Sequence, residues 1–531
     1  MKEPITIRAE ADDDTTNLAL DTIKRGKQAL IFVNSKRSAE ASAERVAKAV
    51  GKQDIRLEEL AQQILSAVTK PTKQCKRLAY CVKRAQAFHH AGLTSKQRSL
   101  LEDAFREGTI KTISATPTLA AGVDTPAFRT IIRDTKRFTG AGMSDIPVLE
   151  YHQMAGRSGR PDYGDDYGEA ILIAKTEAQA QQLTKKYVHG KPEAIYSKVA
   201  AEPVLRTYCL SLAASEYVTT IDELQAFFAE TFFAHQYGDA TAIKTKITQT
   251  VEQLRDWGFL KQPTNTSSDE FTNANELPTK QASLQATPLG KRVSELYIDP
   301  LSAHELIDGM YKASTSKPAF FAWIHLLCSS AEARPLLRIK AADYEELQEY
   351  LEQAPDLLVA EPSIYDPAYE QYLEAIKTAQ MLEAWCNEVD EEDLLETYNV
   401  RPGELRRRVE IADWLCYSAS ELARILQFHH HIAPLQKTRR RLRYGAKEEL
   451  LALLRFRNIG RVRARTLHRN KIRSAGDIKA VSYQELAALI GEKTAAKLKQ
   501  QVGQEVTPTT PSKHQRKGQL SLEAKRFQTD N

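Results

Sequence analysis

GKQALIFVNSKRSAEASAERVAKAV, residues 26–50, opens on a turn, runs through an unbroken apolar stretch and then changes its period. The run ALIFV (29–33) is short and bounded by polar residues, which reads as a strand buried on both faces. From Ser35 onward the apolar residues recur at helical spacing, and Ser35 or Ser38 supplies an N-cap oxygen. Similar strand patterns return in KTISAT (111–116), RTIIRD (129–134) and GEAILIA (168–174), with helical stretches between them. Strands alternating with helices predict an α/β lobe, a mostly parallel sheet covered by helices. Phosphate-binding residues in such lobes gather in loops at the carboxyl ends of the strands.

The chain is 531 residues long, enough for several domains at roughly 100–200 residues each. Its 42% hydrophobic and 27% charged residues are globular values. No apolar run approaches the ~18 residues that span a bilayer, so no membrane partner is expected. The start, MKEPITIRAEADDD, lacks a basic-then-apolar signal pattern. Six scattered cysteines form no CxxC pair; they suit a reducing, cytoplasmic setting and argue against a zinc site or a disulfide framework.

The net charge of +5 hides a polarity. Asp343 to Glu396 holds 17 acids and one lysine, whereas Lys437 to Lys479 holds 15 Lys or Arg and three acids. So dense a basic block, with arginines around a glycine turn, points to nucleic acid.

After residue 190 the strand pattern stops. Residues 195–260 read as helices ending in VEQLRDWGFLKQ, a helix running into a short apolar strand, as in a winged helix. The polar loop 263–281 follows as a mobile wing or insertion. Residues 300–432 read as all-helical, punctuated by Pro355, Pro362, Pro367 and Pro402. Residues 446–502 form a further small helical unit, and the tail from 506 reads as disordered. No internal repeat is evident.

Four stretches of the first 165 residues carry the chemistry. IFVNSKRSAE (31–40) and FHHAGL (88–93) set small and polar groups, including Ser35, His90 and Gly92, in loops after early strands. ATPTLAAGVDTPA (115–127) brings Thr116, a Gly122 turn and Asp124. QMAGRSGRP (153–161) brings Gln153, Arg157 and Arg160, two guanidinium forks three residues apart between glycines, which suits a phosphate. Taken alone, HHAGL reads equally as a helix-capping turn with a buried histidine.

In order and spacing this set resembles the second motor lobe of a superfamily-two helicase. More narrowly it is similar to the archaeal DNA repair helicases related to the helicase part of DNA polymerase theta, over residues 3 to 502. Two positions depart from that family: Asp124 stands where Asn is common, and Ser158 where Ala is. The resemblance implies a RecA-like lobe over 1–190, a winged helix over 191–299, a helical ratchet over 300–432, a helix-hairpin-helix domain over 433–505 and a disordered tail over 506–531. It makes Arg157 and Arg160 arginine fingers toward the γ-phosphate of ATP, with Gln153 coupling nucleotide to nucleic acid. Gly122 and Asp124 fall on the nucleotide side. Ser35, His90, Gly92 and Thr116 fall on the side of the tracked strand.

The segment DTKRFTGAGMSDIPVLEY (134–151) stands where the family has a duplex-splitting hairpin, with Phe138 and Met143 offering an apolar surface to a base step. RPGELRRRVEIADWLCYSASELARIL (401–426) resembles the ratchet helix. Its Arg407 and Trp414, seven apart, share a face suited to gripping and stacking on unpaired bases. Taken alone, Trp414 reads as core. LLRFRNIGRVRARTL (453–467) resembles a helix-hairpin-helix in which Asn458 replaces the usual first glycine and Arg461, Arg463 and Arg465 add charge. SYQELAALIGEKTAAKLKQQ (482–501) completes that unit, and GQLSLEAKRF (518–527) bears a faint likeness to a sliding-clamp-binding peptide.

The sequence contains no GxxxxGK[ST] loop to cradle a phosphate and no acidic box before residue 30 to hold Mg²⁺. ATP and Mg²⁺ are therefore expected to be held mainly by a first motor lobe that this chain lacks, on a separate polypeptide or lost by truncation. The function that the resemblance implies is the C-terminal part of an ATP-dependent 3′–5′ DNA helicase acting on single-stranded and forked DNA at stalled forks. An ATPase-inactive module that binds single strands, and a related RNA helicase, are the alternatives.

Overall fold

The computed structural model describes residues 5–68, 70–120, 125–139, 142–160, 164–199, 202–262, 283–353 and 356–504. The expected mobile loop 263–281, the turn glycine Gly140, the tail with its clamp-like peptide, and the site residues Gly122 and Asp124 lie outside the described residues. The chain divides into two compact units, Met1–Trp385 with Val389–Arg439, and Cys386–Glu388 with Arg440–Asn531. The sequence placed that division at 432/433.

The first unit is built on a five-stranded sheet in the order β2-β3-β1-β4-β7. The strands are β1 (Ala29–Phe32), β2 (Gln86–His89), β3 (Thr112–Ala115), β4 (Arg129–Ile132) and β7 (Glu169–Leu172). Every pairing is parallel. β1 to β4 are buried at every residue, as a parallel sheet covered on both faces requires. Leu30, Ile31, Phe32, Ile113 and Ile131 form its centre. β2 is hard to recognise in the sequence because its ends are polar. Gln86 hydrogen-bonds the Thr112 hydroxyl of β3, and His89 meets Glu102 at 2.8 Å.

Between β4 and β7 the chain forms an antiparallel hairpin, β5 (Lys136–Thr139) with β6 (Gly142–Asp145). The helix Val148–Ala155 then runs back along the sheet toward β7. Beyond it lie the helices Glu202–Ala214, Ile221–Ala229 and Ala240–Asp256. The expected apolar strand after Trp257 amounts to a single bridge, Leu260 to Ala286. The described residues of 300–425 are mostly helical and end in the long helix Pro402–Ile425, which carries Pro402 at its first turn where a missing N–H costs nothing.

The second unit packs the short helices Leu451–Leu454, Arg461–Arg469, Ala475–Ala480, Tyr483–Ile490 and Glu492–Gln501 around Leu453, Leu467, Ile478, Leu486 and Leu498. It contains a short repeat, against the expectation of none. Ile459-Gly460, Ala464 and Leu467 recur 31 residues later as Ile490-Gly491, Ala495 and Leu498. All six apolar members are buried. Four matched positions in so short a unit carry too little signal to stand out before their shared burial is seen.

Candidate nucleotide and nucleic-acid surfaces

The sheet has two working edges, and the candidate residues divide between them. Ser35 follows β1, His90 follows β2 and Thr116 follows β3, all at the carboxyl edge. Gln153, Arg157 and Arg160 sit at the amino edge, because the helix Val148–Ala155 has carried the chain back across the sheet. The backbone of 157–159 is stitched to Ala127, just before β4: Ala127 N donates to Arg157 O at 2.9 Å and Gly159 N to Ala127 O at 2.7 Å. The expectation that all phosphate-binding residues lie at carboxyl ends is corrected for these arginines. Gly159 has φ +93°, and a Cβ at Gly168 would meet its nitrogen at 2.2 Å, so both positions need glycine.

At the amino edge Gln153 is exposed and Arg157 half-buried. The Arg157 guanidinium donates to the Ala120 carbonyl at 2.6 and 3.1 Å, which sets its direction. Arg160 is only 7% exposed; it donates to Asp165 at 2.9 Å and to the Gln28 side chain. Lys27 binds the other oxygen of Asp165. Burial acts to raise the Asp165 carboxyl, but the hydrogen bonds and charges of Arg160 and Lys27 outweigh it and hold it below the usual range. Arg160 thus does not project as a free finger here: a phosphate would have to displace Asp165. Asp165 and Gln28 were missed by sequence reasoning. The signal for Gln28 was a polar residue at the mouth of a buried strand.

At the carboxyl edge Ser35 is exposed and caps the helix Lys36–Val50, accepting from Ser38 N at 3.1 Å. Thr116 is half-buried, its hydroxyl 2.9 Å from that of Thr118. His90 and Gly92, expected on the strand side, are both buried. His90 Nδ1 accepts from Gly92 N at 3.1 Å, so the ring proton belongs on Nε2, 3.3 Å from Glu40. Burial keeps His90 below its ordinary value despite Glu40, so the ring is neutral.

The start of the long helix covers this loop. Gly403 N donates to Gly92 O at 3.0 Å, and Arg401 meets Glu40 at 3.3 Å. Arg77 binds the second oxygen of Glu40 at 2.5 Å, and Lys36 pairs with Glu404. Burial works against ionising Glu40, but His90, Arg401 and Arg77 overcome it and bring its carboxyl to about 2. The contacts made by the long helix join residues more than 300 positions apart, which no local pattern reveals.

Phe138 and Met143 face each other across the hairpin and are 62% and 61% exposed. On the long helix Arg407 is exposed and Trp414 half-buried. The indole N–H is committed to Leu296 O at 3.1 Å, so Trp414 has only a ring face to offer. In the second unit Asn458 takes φ +67°, the left-handed turn expected of it, and Arg463 donates to its carbonyl at 2.8 Å. Arg461 begins the following helix, half-exposed. Arg465 is paired with Glu388 at 2.5 Å and Glu449 at 2.6 Å, which offset its charge. Among the described residues no group of three or more His, Cys, Asp or Glu could hold a metal ion. Among them also, no helix is long and apolar enough to cross a membrane.

Three stretches match known family models. Residues 13–162 match the helicase conserved C-terminal domain, 168–261 a helix-turn-helix domain, and 321–445 domain 4 of archaeal helicases. The ATP-dependent DNA helicase Hel308 of Methanocella arvoryzae is 38% identical over 526 residues, covering 96% of this chain and 67% of the relative. This chain belongs to the Hel308 family. The Hel308 proteins of Methanococcus vannielii and Pyrococcus horikoshii are each 36% identical, over 94% of this chain and 68% and 67% of their own lengths. The helicase C-terminal match of this Hel308-family chain takes in both edges of the sheet, and the domain 4 match takes in Arg407 and Trp414.

Proposed function

We propose that this chain supplies the second RecA-like motor lobe, the winged helix, the ratchet and the helix-hairpin-helix domain of an ATP-dependent DNA helicase that moves 3′ to 5′ and opens forked DNA. The observation that carries this is the division of the sheet, with cationic and amide donors at its amino edge and the hydroxyls of Ser35 and Thr116 and an apolar hairpin at its carboxyl edge. A lobe so arranged faces a nucleotide with one edge and a strand with the other. Arg157, and Arg160 once parted from Asp165, offer guanidinium donors to charge developing on a transferred phosphate. Gln153 lies beside them. Ser35 and Thr116 face the strand, Phe138 wedges the duplex, Arg407 and the face of Trp414 grip unpaired bases, and Arg461 and Arg463 hold backbone phosphates. The loop that cradles ATP, and the carboxylates that hold Mg²⁺, come from residues outside this chain.

The test joins this chain to the remaining third of a Hel308 relative and measures ATP hydrolysis with and without single-stranded DNA. We expect DNA-stimulated turnover that Arg157→Ala lowers by about 10³-fold, with DNA affinity unchanged. Robust hydrolysis by this chain alone, or an Arg157→Ala protein that turns over normally, would overturn the proposal.

A further inference from the structure

The segment RPLLRIK, 334–340, has three cations and no acid, and it stands directly before the acidic run that starts at Asp343. It is not helical, and its backbone is fastened at three points. Pro335 O accepts from Arg408 at 3.1 Å, Leu337 N donates to Thr378 at 2.9 Å, and Arg338 O accepts from Lys377 at 3.1 Å. A strap held by its backbone leaves its side chains outward, and Arg334, Arg338 and Lys340 are all exposed. Among the described residues no ion pair holds the Arg338 or Lys340 side chain, although their charges reach Glu374 and Asp343.

Each end of the strap meets a different element. The Arg338 guanidinium lies over the Phe138 ring of the hairpin, 5.4 Å from its centre. A stacked guanidinium keeps its N–H edge free, so Arg338 holds the ring and still has donors in its own plane. Lys340 and Arg37 line one open cavity of about 540 Å³, and Arg37 is two residues from Ser35. At the other end Arg408 adjoins the exposed Arg407 of the long helix. The helix Asp343–Gln353 follows with exposed Glu345, Glu346, Glu349 and Glu352, a negative wall beside the cationic strip.

We propose that residues 334–340 form a binding lane for the phosphate backbone of a single strand, led by Arg338 and Lys340, running between the Phe138 hairpin and the long helix. The acidic helix confines the strand to the strap. This rests on the nucleic-acid reading above but assigns residues that reading does not use.

The test is binding of a fluorescein-labelled oligo-dT to the full chain by anisotropy, over a range of salt. Arg338→Ala, Lys340→Ala and the double variant are compared with Lys52→Ala, an exposed lysine beyond the far end of the helix Lys36–Val50. Each lane variant should flatten the slope of log affinity against log salt by roughly 0.7 for every phosphate it no longer neutralises, with Lys52→Ala unchanged and all melting curves alike. Arg338→Lys should keep the slope, because it keeps the charge. If the wild-type chain binds and the double variant has its slope, the lane is overturned while the helicase reading stands. If the wild-type chain binds no oligonucleotide, both fall.

Discussion

The amide of Gly403 donates to the carbonyl of Gly92 across 3.0 Å, so the long helix begins on the loop that leaves β2. The approach is possible because both residues lack a side chain. A Cβ on Gly403 would meet Leu93 O at 2.2 Å and Ala91 O at 2.7 Å, both backbone atoms. A Cβ on Gly92 would meet Arg401 Cδ at 2.3 Å and His90 Nδ1 at 2.9 Å, side-chain atoms and not backbone. Gly403→Ala should therefore cost about 1–3 kcal/mol, more than Gly92→Ala, in denaturant titrations of the chain. Equal costs would show that the whole junction yields together.

Glu40 sits under the same junction, with its carboxyl at about 2 against an ordinary 4.5. A carboxyl depressed in the folded state gives stability that is complete above about 4.5 and lost as pH falls toward 2. Glu40→Gln should lower the melting temperature at neutral pH and flatten its fall between pH 4.5 and 2. A parallel downward shift at every pH would mean that Glu40 acts by shape and not by charge.

His325 is fully buried, with neither ring nitrogen hydrogen-bonded, and burial brings its value down from 6.5 to about 3. The unfolded chain takes up a proton below about 6.5 that the folded chain refuses until about 3. Stability therefore falls on acidification through that window, by up to about 1.4 kcal/mol per pH unit. His325→Leu should be more stable by ~1 kcal/mol at pH 7, since it removes two orphaned polar atoms, and the gain should widen at pH 5. A gain that does not change between those pH values would refute the assignment.

In the second unit Arg463 and Arg465 should part company. Arg463 is exposed, so Arg463→Ala should weaken oligonucleotide binding and reduce its salt dependence, with little effect on folding. Arg465 is bound by Glu388 and Glu449. Arg465→Ala should cost about 2 kcal/mol of stability, seen in melting curves, and leave the salt dependence intact.

What could be read from the sequence was what local spacing encodes. Buried parallel strands write themselves as runs such as ALIF, and four of the five sheet strands were found that way. QAFH was not, because a strand whose polar ends are paired inside the sheet looks like a loop. Ser35 as a cap and Asn458 in a left-handed turn followed from the chemistry of a single residue. The sequence could not show which side chains were already spent. Arg160 on Asp165, Arg465 on Glu388 and His90 beneath Arg401 are settled by partners that only folding brings close. The edge on which Arg157 lies was hidden for another reason: it depends on which way the helix before it runs.

The strands that join the two edges are four residues long, so only ~13 Å of backbone separates the rim that holds Arg157 from the rim that holds Ser35. Packed on both faces, such a slab has no slack in which to bend. A push at one rim must reach the other as a tilt of the entire slab. A displacement at one rim is then carried to the other by the sheet itself, and not by rearrangement of any loop it bears.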